Sequence, residues 1–224
     1  LEEEVSLWKG LGPGQVLIGV DAVADFGLLP EVLETYVPAH PGILISLRSG
    51  HTDTLLPALL SNDLHFIVAD AEIAQHHEQL DIRPLVASPL AAAIRPGHPL
   101  TNNPKPTAAE VSRYPRLGAS TAPRFDRWLQ EQPRGESGTT LSRSLVSDNY
   151  GLLTRLAEKS DAIVFGPHSL LQRYQQEGRL QVVRWPFEGP NTQSSLIRIK
   201  ERHLPPAAER LIDLVVNTAN LQNQ

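Results

Sequence analysis

Apolar positions along this chain follow two rhythms. "QVLIGV" (15–20), "ILISLRSG" (43–50) and "LHFIVAD" (64–70) are short apolar runs of strand length. Between them, "GLLPEVLETYVPAHPG" puts Leu28, Val32, Leu33 and Tyr36 on one helical face before Pro38 and Pro41 end it. "DTLLPALLSND" predicts a second helix, with Pro57 in its first turns, where a missing N–H costs little. Strand–helix alternation with short loops predicts a parallel sheet covered by helices and joined by right-handed crossovers. Ligands of such sheets sit beyond the carboxyl ends of the strands, so residues 21–26 and 49–53 are expected on one rim.

A second cycle of the same kind follows. The apolar run 85–94 within "DIRPLVASPLAAAIRPGHPL" is long enough to leave one lobe and enter another. "RPGHPL" and "TNNPKPTAAEV" read as a Pro-rich surface connection. "PRLGAS" (115–120) restarts the alternation, followed by "RFDRWLQEQ" as a short helix and "GTTLSRSLVSD" as a strand. "NYGLLTRLAEK" predicts a helix with Leu152, Leu153 and Leu156 inward. "DAIVFG" is a strand, and "PHSLLQRYQQEG" a helix with Pro167 at its start and Gly178 just past its end. "LQVVRWPF" is extended and "SSLIRIKERHL" is a long strand. "PPAAERLIDLVVNTAN" closes the chain as a helix with Ala208, Leu211, Ile212 and Val215 on one side. The strands at 85–94 and 194–200 are the expected crossings between two lobes.

Composition narrows the classes. With 41% hydrophobic and 20% charged residues in 224, a folded core is expected. The net charge of -5 and 20 scattered Lys+Arg argue against this stretch gripping a nucleic-acid backbone. Cysteine is absent, which excludes disulfides and thiolate chemistry. The apolar runs are interrupted too often for a membrane span. The opening "LEEEVSLWKG" is acidic where a signal peptide is basic, and suggests a fragment excised from a longer chain.

Candidate chemistry is sparse. "SGHTDT" has one glycine and no GK[ST], and "GVDAVADFG" lacks the G-x-G-x-x-G spacing, so no nucleotide loop is expected. No pair among the histidines at 40, 51, 65, 76, 77, 98, 168 and 203 has metal-ligand spacing with an acidic partner, so no metal is expected. "GASTAP" offers Ser120 and Thr121 at a strand end, without a nucleophile elbow; they read as hydrogen-bond donors or helix caps. Asp21 and Asp25 read as capping or surface carboxylates. Free N–H groups at the helix start after His51 favour an anion, with His51, Thr52 and Thr54 as further donors and Asp53 either joining them or capping. The expectation is binding without turnover: no catalytic residue and no cofactor.

Taken together, "QVLIGVDAVADFGLLPEVLETYVPAHPGILISLRSGHTDTLLPALLSNDLHFIVAD", "RPGHPL", "SDAIVFGP" and "RHLPPAAERLIDLVV" resemble the effector-binding domain of LysR-type transcriptional regulators. The likeness covers about residues 12–218. It implies an α/β fold of two Rossmann-like lobes joined by two crossing strands, the type 2 periplasmic binding protein fold. Applied here, residues 1–11 end a linker helix, 12–86 with 200–219 form lobe I, 87–199 form lobe II and 220–224 are a tail. The DNA-binding part, a winged helix-turn-helix, would lie outside this stretch.

The resemblance further implies a cytoplasmic homodimer or tetramer that binds a small-molecule effector in the inter-lobe cleft and modulates transcription. By position, lobe I would offer Asp21, Ala22, Val23, Ser49, Gly50, His51, Thr52, Ala69 and Asp70 to that effector, and lobe II Ser120, Thr121, Asp148 and Asn149. Thr52→Val or Thr121→Val is expected to weaken effector binding with the fold intact. The chain departs from the family pattern at Val23, where many relatives have a hydroxyl, at His65, often Asp, and at Asn62, often Gly. The alternative reading is a solute-binding protein of a transport system, which has the same fold.

Overall fold

A computed structural model describes residues 14–103, 106–119, 144–183 and 191–222. The expected linker end, Ser120, Thr121 and the expected helix "RFDRWLQEQ" lie outside the described residues. The chain divides into two compact units: unit 1 takes in the residues up to Ala87 and from Gln193 on, and unit 2 is Ser88–Thr192. The return to unit 1 thus comes between Thr192 and Gln193, earlier than the boundary at 199/200 read from the sequence.

Unit 1 is built on β1 (Gln15–Val20), with β2 (Leu44–Ser49) and β3 (Phe66–Ala69) parallel to it on either side. β9 (Asn191–Ile199) pairs antiparallel with β3. The short α1 (Ala22–Phe26) and α2 (Leu28–Ala39) follow β1, α3 (Thr52–Leu60) follows β2, and α7 (Pro206–Gln222) closes the chain. Strand alternation sorts the core onto two faces. Val16, Ile18, Val20, Phe66 and Val68 pack with Leu28, Val32 and Tyr36 of α2 and Leu211, Ile212 and Val215 of α7. Ile67 and Ala69 face the other way, onto Leu55, Leu56 and Leu59 of α3. With both faces covered, all four residues of β3 are buried.

One detail of unit 1 departs from the reading of the sequence. Pro57 is the sixth residue of α3 rather than part of its first turn, so the carbonyl of Asp53 lacks an i→i+4 donor. That carbonyl belongs to an exposed residue, where water can serve it. Asn62, after the end of α3, has φ 68°. This left-handed backbone suits the glycine that the resemblance implies at this position, and Asn is the residue that tolerates it next best.

In unit 2, β5 (Arg116–Gly118) lies parallel to β6 (Leu145–Val146) and β7 (Ile163–Pro167). β4 (Leu80–Ile94), which enters from unit 1, runs antiparallel to β7 and to β8 (Gln181–Val183). The helices are α4 (Ala108–Ser112), α5 (Tyr150–Glu158) and α6 (His168–Gln176). Thr107 starts α4 with a reciprocal capping box to Glu110.

The inward face of α5 differs from the expected one. Tyr150, Leu153, Thr154 and Ala157 are buried, whereas Leu152 and Leu156 are 45% and 40% exposed. Thr154 can be buried because its hydroxyl donates to the carbonyl of Tyr150 at 2.8 Å. The "RPGHPL" connection also turns inward: His98 and Leu100 are buried, and Gly97 makes the turn at φ 72°.

The chain passes between the units in β4 and in β9. On the unit 1 side Arg198 of β9 reaches Asp81 of β4 at 3.0 Å. On the unit 2 side the Thr192 hydroxyl donates to the carbonyl of Ser88 at 2.9 Å.

Candidate functional site

The ends of β1, β2 and β3 in unit 1 are stitched together by side chains. Asp21, at the end of β1, is the N-cap of α1; its Oδ1 accepts from the Ala24 N–H at 2.8 Å. Its Oδ2 accepts from the Asp70 N–H at 2.9 Å, tying β1 to the residue after β3. Burial pushes the Asp21 carboxyl up to about 6 and the nearby Asp70 charge adds to this, against the hydrogen bonds from Ala24 and Asp70. Thr52, buried at the start of α3, donates its hydroxyl to the Asp70 carbonyl at 2.5 Å. Asp70 Oδ1 in turn accepts from the Glu72 N–H at 2.8 Å.

Asp21, Thr52 and Asp70, far apart in the chain, are therefore brought into one hydrogen-bonded set. Ala22 and Val23 are half-buried in α1, and Ala69 is buried at the end of β3. Ser49 is exposed at the end of β2. Gly50 donates its N–H to the Val20 carbonyl at 2.9 Å, and a Cβ there would stand 2.8 Å from the Thr54 hydroxyl. His51, not Asp53, holds the cap position of α3: its carbonyl accepts from the Thr54 and Leu55 N–H groups, and its ring makes no cap bond. The Thr54 hydroxyl also donates to that carbonyl, at 2.8 Å. Both threonine hydroxyl protons expected to meet a ligand are thus spent within the protein.

In unit 2, Asn149 is the N-cap of α5, its Oδ1 accepting from the Leu152 N–H at 3.0 Å, and Asp148 is exposed beside it. Ser120 and Thr121 lie outside the described residues. The reading of the sequence passed over the junction of β7 and α6. β7 is parallel to β5, so Pro167, His168 and Ser169 stand at the same sheet end as Ala119, after β5, and Ser147, after β6. The Ser169 N–H donates to the Ser88 hydroxyl oxygen at 3.1 Å. "FGPHS" carried the signal, a strand handing over to a helix, by the rule that selected 49–52.

The segments 21–26, 49–54 and 70–73 hold Asp21, Asp25, Asp53, Asp70 and Glu72 and neither Lys nor Arg. Among the described residues no group of three His, Cys, Asp or Glu could hold a metal ion, and no helix is long and apolar enough to cross a membrane.

Comparison with known proteins places this geometry. The family model "LysR substrate binding domain" matches residues 9–220. The SDS degradation transcriptional activation protein of Pseudomonas sp. (strain ATCC 19151) is 29% identical over 222 residues, which cover 97% of this chain and 71% of that protein. The regulatory domain of HypT from Salmonella typhimurium, solved with bromide bound, superimposes with a TM-score of 0.73 at 18% identity, covering 94% of this chain and 97% of that one. The effector-binding domain of QuiR in complex with shikimate gives a TM-score of 0.67 at 16% identity, covering 93% and 98%. These structural likenesses are those of the two-lobed type 2 periplasmic binding protein fold. The transport alternative draws no support, since the family model and the relatives are those of regulators. The chain belongs to the LysR substrate-binding domain family, the effector-binding domain of LysR-type transcriptional regulators.

Proposed function

We propose that this domain senses a metabolite at the strand ends of its two units and, without transforming it, reports its presence to a DNA-binding part as one copy of a cytoplasmic homodimer or tetramer. The observation that carries the reading is the family match over residues 9–220. The effector residues are Asp21, Ala22, Val23, Ser49, Gly50, His51, Thr52, Ala69 and Asp70 in unit 1 and Ser120, Thr121, Asp148 and Asn149 in unit 2. Asp21, Thr52 and Asp70 act by holding the loops, because their bonds run to one another and to backbone. Ligand contact in unit 1 falls to the side chains of Ser49 and His51 and to the N–H groups of Thr52 and Asp53, since those of Thr54 and Leu55 are given to the His51 carbonyl. A ligand shifts the domain only by binding one arrangement better than another, and a set of loops fixed in advance reduces the ordering cost of binding.

Pairing of copies has its own support. Val37, Leu44 and Leu47 are exposed in unit 1, at 51%, 59% and 39%, and Val146, Leu152 and Leu156 in unit 2, at 47%, 45% and 40%. Leu44 and Leu47, three apart on β2, point to opposite faces, whereas Leu152 and Leu156 share one face of α5, which a second copy would cover about a two-fold axis.

The test is a thermal-shift screen of the purified chain against sugars, organic acids, aromatic compounds and alkyl sulfates. A ligand at 100 times its Kd should stabilise by about 2.7 kcal/mol and be recovered unchanged by mass spectrometry. Conversion of the bound compound would overturn the reading of binding without turnover. Failure of every class to stabilise would overturn the sensing role.

A further inference from the structure

We propose that His65, at the end of the unit 1 sheet opposite the candidate effector residues, is an acid-sensitive latch that holds β1 to the chain entering β3. The Leu17 N–H donates to His65 Nδ1 at 3.0 Å, and the His65 N–H donates to the Leu17 carbonyl at 2.8 Å. Leu17 is therefore gripped twice, once by backbone and once by the ring. Because Nδ1 is an acceptor, the neutral ring carries its proton on Nε2. That Nε2 is buried and has no partner among the described residues, in a residue that is 0% exposed.

A second proton has only Nδ1 to go to. There it turns the acceptor of Leu17 into a donor facing a donor and places a charge in the core. Arg202 is the charged group whose field reaches the ring, and it opposes that charge; its guanidinium donates to the Leu64 carbonyl at 2.8 Å. Burial and Arg202 both hold His65 below the ordinary histidine range. Among the described residues no carboxylate offsets them: Asp63 is exposed with its Oδ2 accepting from Ser61, and α3 carries only Asp53, exposed at its far end. Gln15 of β1 is uncharged, and Lys200 after β9 points to the carbonyl of Glu78.

His98 in unit 2 marks the contrast. It too is buried and accepts a backbone N–H at Nδ1, from Leu100, at 3.0 Å. Its Nε2 proton, however, finds the Asp161 carbonyl at 3.1 Å, beside the Asp161 carboxylate that Arg95 binds. The same ring geometry is supported on both sides there and on one side only at His65.

The decisive measurement is hydrogen exchange by NMR on the 224-residue chain between pH 7.5 and 5.5, with thermal melts of the wild type and His65→Asn. Asn offers an oxygen near the Nδ1 position and does not titrate. Corrected for intrinsic rates, protection of the Leu17 amide should fall about tenfold or more on acidification, ahead of Val20 at the other end of β1. The wild-type Tm should drop by about 3 °C more than that of His65→Asn over the same range. Equal Tm losses in the two proteins, or a Leu17 amide that loses no more protection than Val20, would overturn the latch. Should His65→Asn fail to fold, the wild-type Leu17 amide decides alone.

Discussion

His98 donates its Nε2 proton to the backbone carbonyl of Asp161 at 3.1 Å, while Arg95 clasps the Asp161 carboxylate at 2.7 Å. The stretches "RPGHPL" and "SDAIVFGP", two of the most specific marks of the resemblance, are thus bound to each other in unit 2. His98 further accepts the Leu100 N–H and lies 4.6 Å from the Tyr114 ring, so the motif builds a buried corner.

The two halves of this corner should differ in weight. His98→Ala removes a buried ring and strands a backbone N–H and a carbonyl, and should cost about 2–4 kcal/mol. Asp161→Ala removes an ion pair that is 32% and 45% exposed, and should cost about 0–1 kcal/mol. Urea melts of the two variants check the ranking.

Asp21 predicts a pH dependence opposite in sign to that of His65. Its carboxyl has a folded pKa of about 6 against 3.8 for the free group. The folded state therefore holds more protons between those values, and this group's contribution is fully present below 3.8 and lost as pH rises through about 6. The difference corresponds to about 3 kcal/mol. Asp21→Asn keeps an oxygen for the Ala24 N–H but does not titrate. Its Tm relative to wild type should fall as pH is lowered from 7 to about 4. A Tm difference independent of pH would show that burial does not perturb this carboxyl.

Much of unit 1 was legible because period and punctuation agreed. The apolar run 15–20 marked a strand, and the Leu28, Val32, Tyr36 spacing marked both a helix and its buried face. The face of α5 was not legible, because Leu152 and Leu156 have the composition of a core and lie outside it, while Thr154 is buried by a bond to its own helix. The position of Asp21, Thr52 and Asp70 at strand ends was legible, but the bonds they make there were not. Strand ends can be counted in a sequence, whereas the acceptor that the Thr52 hydroxyl chooses depends on β3 arriving beside it.

Gly166 in β7 lies against Tyr150, the first residue of α5; a Cβ at Gly166 would stand 2.9 Å from the tyrosine ring. Tyr150 is 0% exposed, so moving its ring disturbs the packing around it. Gly166→Ala should destabilise by about 1–3 kcal/mol, and Tyr150→Leu should relieve part of that in the double variant. A double-mutant cycle with no coupling would place the strain elsewhere.

The exposed leucines of α5 give a prediction on assembly. If they are covered by a second copy, Leu156→Glu should leave the Tm of the dilute chain nearly unchanged, since the residue is 40% exposed in the isolated fold. It should convert the dimer to monomer in sedimentation at roughly 50 µM, because a charge on a buried apolar patch costs several kcal/mol. A wild-type chain already monomeric at that concentration would count against the pairing.

Thr52→Val, expected from the sequence to leave the fold intact, should nonetheless lower its stability. The hydroxyl is buried and donates to the Asp70 carbonyl, whose residue also bonds Asp21. Valine leaves that carbonyl without its donor and should cost about 1–2 kcal/mol in a urea melt. Any loss of effector affinity would then come through the loosened loop. Ser49→Ala should behave the other way, since its exposed side chain can be removed within about 0.5 kcal/mol of wild-type stability. Once an effector is in hand, calorimetry separates the two roles. Removing the Ser49 hydroxyl should lower affinity at constant Tm, whereas Thr52→Val should lower affinity and Tm together.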